Sequence, residues 1–197
     1  MHIDYYLAPQ SPWTYLGHPR LVALLNRYSA SVRVLPMDLG QIFPLSGGLP
    51  LPKRAPQRQA YRLVELQRFS EALAIPLNLH PSYFPVQGDA AARLITCVAA
   101  HDGPDAALRL AGNVLRAVWA EQRNIAGAAT LSALLDEAAL PTARLAEAAT
   151  PAMQAVYQAT TQAAIDLGVF GSPSYVVNGE IFWGQDRLDM LERKLRG

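Results

Sequence analysis

Residues 172–184 read SPSYVVNGEIFWG, and this stretch decides the architecture. Two β-prone runs, Tyr175–Val177 and Glu180–Trp183, flank the dipeptide Asn178-Gly179. Asn and Gly tolerate positive φ, the requirement of a tight two-residue hairpin loop. The following QDRLDMLERKL (185–195) sets Leu188, Leu191 and Leu195 on one helical face, with Asp186 as the expected N-cap. This part of the chain reads β-β-α.

Working outward, the opposite end reads β-α-β. HIDYYLA (2–8) alternates Ile3, Tyr5 and Leu7, as a half-buried strand does. Ser11-Pro12 pairs a hydroxyl cap with proline at the first helical position, so a helix is expected from there to about Tyr28. SVRVLPMDL (31–39) is a second strand with Val32 and Val34 inward and Met37 at its end. LGQIFPLSGGLPLPKRAP (39–56) is a Pro/Gly loop, long enough to expect function in it. Residues 57 to about 168 are rich in Ala and Leu and break into helices at Gly, Pro and polar punctuation. The expected fold is therefore α/β. It is a thioredoxin-like domain (residues 1–50 and 169–197) with a helical domain (51–168) inserted after the first β-α-β unit.

Composition narrows the function. Seventeen basic and sixteen acidic residues leave a net charge of +1, which argues against a nucleic-acid partner or a polybasic membrane surface. No apolar run approaches the ~20 residues of a membrane helix, and MHIDYYLAPQ lacks the basic and apolar regions of a signal peptide. The one cysteine, Cys97, excludes an intrachain disulfide and reads as a buried helical spacer. His2, His18, His80 and His101 show no metal-ligand spacing, so no metal is expected. A cytoplasmic protein is the expectation. Trp119 reads as core. Tyr61, Glu65 and Arg68 share a helical face and read as a structural ion-pair ladder.

Several stretches carry a resemblance. SPWTYLG (11–17), AYRLVELQR (60–68), IPLNLHPSYFP (75–85) and GVFGSPSYVVNGEIFWGQDRLDMLE (168–192) resemble the 2-hydroxychromene-2-carboxylate isomerase family. That family is related to kappa-class glutathione transferases and to DsbA. Redox members of the superfamily open the first helix with Cys-x-x-Cys, where this chain has Ser11-Pro12-Trp13-Thr14. With both sulfurs absent, dithiol-disulfide exchange is ruled out there. The resemblance implies that glutathione supplies the thiol and that Ser11 hydrogen-bonds it. Half-ionising a thiol of pKa ~8.5 at pH 7 needs ~2 kcal/mol. One charged hydrogen bond (~1.5–3 kcal/mol) and a helix N-terminus (~0.3–1 kcal/mol) together suffice.

The resemblance further implies that Pro173 is a cis proline and that the Ser172 backbone pairs with the cysteinyl part of glutathione. Gly184, Gln185, Asp186 and Arg187 would hold its γ-glutamyl end. Trp13, Phe43 and Tyr83 would line the site of a small aromatic carboxylate, whose charge falls to Lys53, Arg54 and Arg58. Some relatives carry a basic residue near position 43, which puts the identity of that substrate in question. The activity implied is cis-trans isomerisation in aromatic degradation, by thiolate addition, bond rotation and elimination. It interconverts 2-hydroxychromene-2-carboxylate and trans-o-hydroxybenzylidenepyruvate. The alternatives are a kappa-class-like transferase that consumes glutathione and a non-catalytic thioredoxin-like binding protein. Analogy with the class also suggests a homodimer.

Overall fold

A computed structural model describes all residues, 1–197. Its sheet has four strands, β1 (His2–Leu7), β2 (Ser31–Pro36), β3 (Ser174–Val177) and β4 (Glu180–Trp183), in the order β2-β1-β3-β4. β1 runs parallel to β2, with Tyr5 opposite Val34, and antiparallel to β3, with Tyr5 opposite Tyr175. The β3–β4 hairpin turns through Asn178 at φ 51° and Gly179 at φ 80°, the two positive values its sequence anticipates.

The crossover helix α1 (Pro12–Tyr28) starts where expected, because the Ser11 side chain accepts from the Thr14 N–H and Pro12 fills the first position. It ends at Ser29, which turns left-handed at φ 47° and lets the Ala30 N–H reach back to the Leu25 carbonyl. The expected Pro/Gly loop is corrected in part. Asp38 caps a short helix, α2 (Leu39–Ser46), by accepting from the Gly40 N–H at 2.7 Å. Ile42 of α2 is buried in a small cluster with Tyr6, Met37, Ala164, Val169 and Val176, so burial outweighs the local Gly and Pro content. Met37 itself lies one residue beyond the end of β2.

Between the two β units run α3 (Pro56–Leu73), α4 (Asp89–His101), α5 (Pro104–Trp119), α6 (Ala128–Glu137), α7 (Arg144–Ala148) and α8 (Pro151–Asp166). α7 was not expected from sequence. It is pinned by Arg144, which donates to both Asp102 oxygens (2.7 and 2.9 Å). The chain finishes with α9 (Leu188–Arg196). One cluster of 39 buried residues draws on segments 1–50, 51–168 and 169–197 alike. The boundaries between frame and insert are therefore breaks in chain order, while the core runs through both.

A buried polar contact crosses this core. Tyr5 stacks on Tyr175 at 5.5 Å, and its hydroxyl lies 3.2 Å from His18 Nδ1 on α1. Burial pushes the His18 imidazole down to about 4, offset in part by the backbone of Leu108.

Candidate functional site

The site forms where α1 begins. Ser11 Oγ accepts from Thr14 N–H (3.2 Å) and donates to the Ser172 carbonyl (3.3 Å). The bonding joins positions 161 residues apart. The Ser172–Pro173 peptide is cis, as the resemblance implies. The Ser172 side chain turns inward, where Oγ accepts from the Ala8 N–H at 2.8 Å and shares a 2.7 Å hydrogen bond with Thr14 Oγ1. A serine at this position thus ties the proline loop to both β1 and α1. Ser172→Ala leaves the Ala8 N–H and Thr14 hydroxyl without that partner. Urea denaturation of this variant should show a stability loss of about 1–3 kcal/mol.

Ser11 and Ser172 each keep 8% exposure, so both reach the surface, while Thr14 and Ser174 do not. The Ser172 N–H takes no acceptor within the chain, and neither does the Trp13 N–H in the first turn of α1. The two partners of Ser11 Oγ are a backbone N–H and a carbonyl, so it has no base to activate it. The arrangement therefore offers hydrogen bonds and a helix N-terminus to a guest anion or thiol and does not itself make a serine nucleophile.

The far rim departs from the sequence expectation. Gly184, at φ 97°, donates its N–H to the Pro173 carbonyl at 2.9 Å. Residues Gln185–Arg187 then form a 3-10 turn, and α9 starts only at Leu188, so Asp186 is not its N-cap. The cause is a long-range anchor. Arg20 of α1 donates to the Gln185 carbonyl (2.8 Å) and Oε1 (3.1 Å), holding Gln185 at 2% exposure with its side-chain oxygen turned inward. Gly17 permits the approach, since a Cβ there would lie 2.9 Å from Gln185 Cβ and 2.6 Å from the Tyr175 hydroxyl. Asp186 and Arg187 stay exposed and paired with each other at 2.6 Å.

On the insert side, Trp13 is half-buried with its ring edge-on to Phe69 at 6.0 Å. Phe43 is half-buried, while Tyr83, Lys53 and Arg58 are exposed. Arg54 is half-buried, donates to the Leu49 carbonyl at 2.8 Å and is lowered by burial and by neighbouring Arg58. The ion-pair ladder is not formed. Tyr61 and Arg68 point to solvent and Glu65 pairs with neither, because an exposed pair gains little to offset side-chain ordering. Sequence reasoning passed over the neighbour of Tyr61. Arg62 lies in register with Leu66, Phe69 and Leu73, a charge on the apolar face of α3, and that spacing was the available signal.

Away from the site, Cys97, His101 and Glu147 bring their polar atoms within 4.8 Å of one another. Arg144 already holds Glu147 at 2.5 Å, and burial pushes the Cys97 thiol up to about 11. This cluster is built around an ion pair and keeps its thiol protonated.

Residues 2–196 match the family model described as the DSBA-like thioredoxin domain. The chain is similar to a 2-hydroxychromene-2-carboxylate isomerase of Pseudomonas putida, 31% identical over 201 residues that cover 98% of this chain and 93% of the other. It is similar at 25% identity to human glutathione S-transferase kappa 1, over 94% of this chain and 86% of that one. Among solved structures, a 2-hydroxychromene-2-carboxylate isomerase superposes with a TM-score of 0.81 at 26% identity, covering 100% of this chain and 95% of the other.

Proposed function

Because this chain belongs to the 2-hydroxychromene-2-carboxylate isomerase family of DSBA-like thioredoxin domains, we propose that it is a glutathione-dependent cis-trans isomerase of a small aromatic carboxylate. The observation that carries the reading is Ser11. It stands at the start of α1 beside a cis proline, has no sulfur near it in sequence, and has no base to turn it into a nucleophile. A site that lacks its own thiol and keeps open donors suits a borrowed one.

The residues fit a bound tripeptide thiol. The unpaired Ser172 N–H and its carbonyl offer the two main-chain groups that an extended peptide pairs with. The exposed Asp186 carboxylate suits the ammonium of the γ-glutamyl end, with Gly184 and Arg187 beside it. Gln185 contributes through its position in the turn, its side chain being taken by Arg20. When bound, glutathione supplies a thiol whose ionised form adds reversibly to a conjugated carbon and so permits rotation about that bond. Ser11 would redirect its hydroxyl from the Ser172 carbonyl, a long bond at 3.3 Å, to the sulfur. The Trp13 N–H and the helix N-terminus favour the same negative charge. Trp13, Phe43 and Tyr83 would wall the aromatic substrate. A cytosolic setting, where thiols stay reduced, suits both the cofactor and the single buried cysteine.

The test is a calorimetric titration with reduced glutathione, followed by an isomerisation assay on 2-hydroxychromene-2-carboxylate. Saturable binding and turnover with glutathione undiminished are expected, and a flat titration overturns the reading. The likeness to a kappa-class transferase favours a second reading, conjugation of hydrophobic electrophiles. It predicts one glutathione consumed per turnover, which a thiol assay resolves.

A further inference from the structure

Arg62 is 8% exposed, and its guanidinium lies over a pair of rings that pack on each other at 4.8 Å, 5.3 Å from the centre of Phe84 and 5.7 Å from that of Trp119. No carboxylate answers it. The one charge that acts on it is another cation, Arg54. The Trp119 indole N–H beside it is buried and also lacks an acceptor. Burial and Arg54 push Arg62 down to about 10, so it remains charged at neutral pH.

A largely buried cation without a carboxylate partner is costly, and its nitrogens, which still touch the surface, are open to a ligand. Ring faces offset part of that cost, but they accept nothing from the five N–H donors in the guanidinium plane. What the cluster lacks is a planar anion with two acceptor oxygens, and a guanidinium meets a carboxylate as a matched fork. The loop that carries Phe84 also packs onto the residue before Ser11. Gly88 lies so close to the Gln10 amide that a Cβ would sit 2.2 Å from its Oε1. Lys53 and Arg58, the cations expected from sequence to share this task, are exposed, where an ion pair adds little.

We infer that Arg62, supported by Arg54, is the residue that receives the substrate's carboxylate, with half-buried Phe84 as the wall for its aryl group and Trp119 buried behind that ring. This rests on the reading of the chain as an enzyme acting on an aromatic carboxylate. The experiment compares binding of 2-naphthoate and its uncharged counterpart 2-naphthamide to the full-length protein by calorimetry. Wild type is expected to prefer the naphthoate at least tenfold. Arg62→Met should weaken naphthoate about 10- to 100-fold, while naphthamide and glutathione affinities stay within about threefold of wild type. Should Arg62→Met fail to fold, Arg62→Lys keeps the charge without the fork and should still weaken naphthoate severalfold. Absence of naphthoate binding, equal affinity for the two probes in wild type, or an Arg62 variant that binds naphthoate normally overturns the assignment. A chain that ignores glutathione yet binds naphthoate through Arg62 would retain this site and lose the isomerase reading. Turnover without naphthoate preference would do the reverse.

Discussion

Ser11→Ala is expected to lower kcat/KM for glutathione-dependent isomerisation about 10- to 100-fold. The figure follows from a hydrogen bond to a charged sulfur, ~1.5–3 kcal/mol. The same substitution removes the α1 cap, which should cost roughly 1 kcal/mol of stability, so activity must be separated from folding. Two readouts do this. Ser11→Thr keeps both the cap oxygen and the hydroxyl donor and should restore most of the rate. The pH dependence of kcat/KM in Ser11→Ala should move toward higher pH, because the thiol loses a stabiliser of its ionised form. A merely structural Ser11 would lower Tm and leave the pH profile in place. An alanine variant within twofold of wild type under saturating glutathione would remove Ser11 from the chemistry.

The largest stability effect is expected from pH through His18. Its folded pKa of about 4 lies below the ordinary histidine value of 6.5. The unfolded chain therefore binds the proton more readily, and stability is complete above pH ~6.5 and is lost as pH falls toward 4. Between pH 7 and 4.5 the loss should be about 2–3 kcal/mol, read from urea midpoints. The ion-paired carboxylates Asp4 and Asp102 have lowered values and lose their contribution only at more acid pH. Glu121 and Glu192, also lowered but from an ordinary value of 4.5, begin to lose their contribution near pH 5, so the window above about pH 5.5 isolates the imidazole. His18→Gln should flatten the profile there, whatever its own stability. An unchanged slope in that variant would show that His18 accepts a proton in the folded state without penalty.

How far the sequence reaches depends on the range of the forces involved. The hairpin was legible because Asn178 and Gly179 carry their own backbone preference, and the start of α1 because Ser11 and Pro12 cap it within one turn. Residues at the two ends of the frame could be brought together only through a family likeness; in the structure Ser11 Oγ meets the Ser172 carbonyl beside a cis Pro173. Long-range anchors were not legible. Arg20 captures Gln185 from the other end of the chain and turns an expected helix cap into a 3-10 turn. α2 forms in a stretch rich in Pro and Gly because Ile42 packs into the cluster of Tyr6, Met37, Ala164, Val169 and Val176. Arg62 was passed over, although a charge in register with Leu66, Phe69 and Leu73 marks it. That its partners are two rings, with no acid among them, depends on how α3 meets α5 and the Phe84 loop.

The position of β1 in the sheet has a consequence for translation. One neighbour, β2, leaves the ribosome soon after it, but the other, β3, follows only after all the helices from α2 to α8. A nascent chain that has paired β1 with β2 still presents the other border of β1, unpaired backbone included, while every helix of the insert is being synthesised. Shielding of that border by a chaperone, or by early docking of insert helices, is thus a requirement of the topology. A message truncated before the codon for Gly171 would yield a polypeptide with a persistent sticky margin and without the Ser172-Pro173 side of the site.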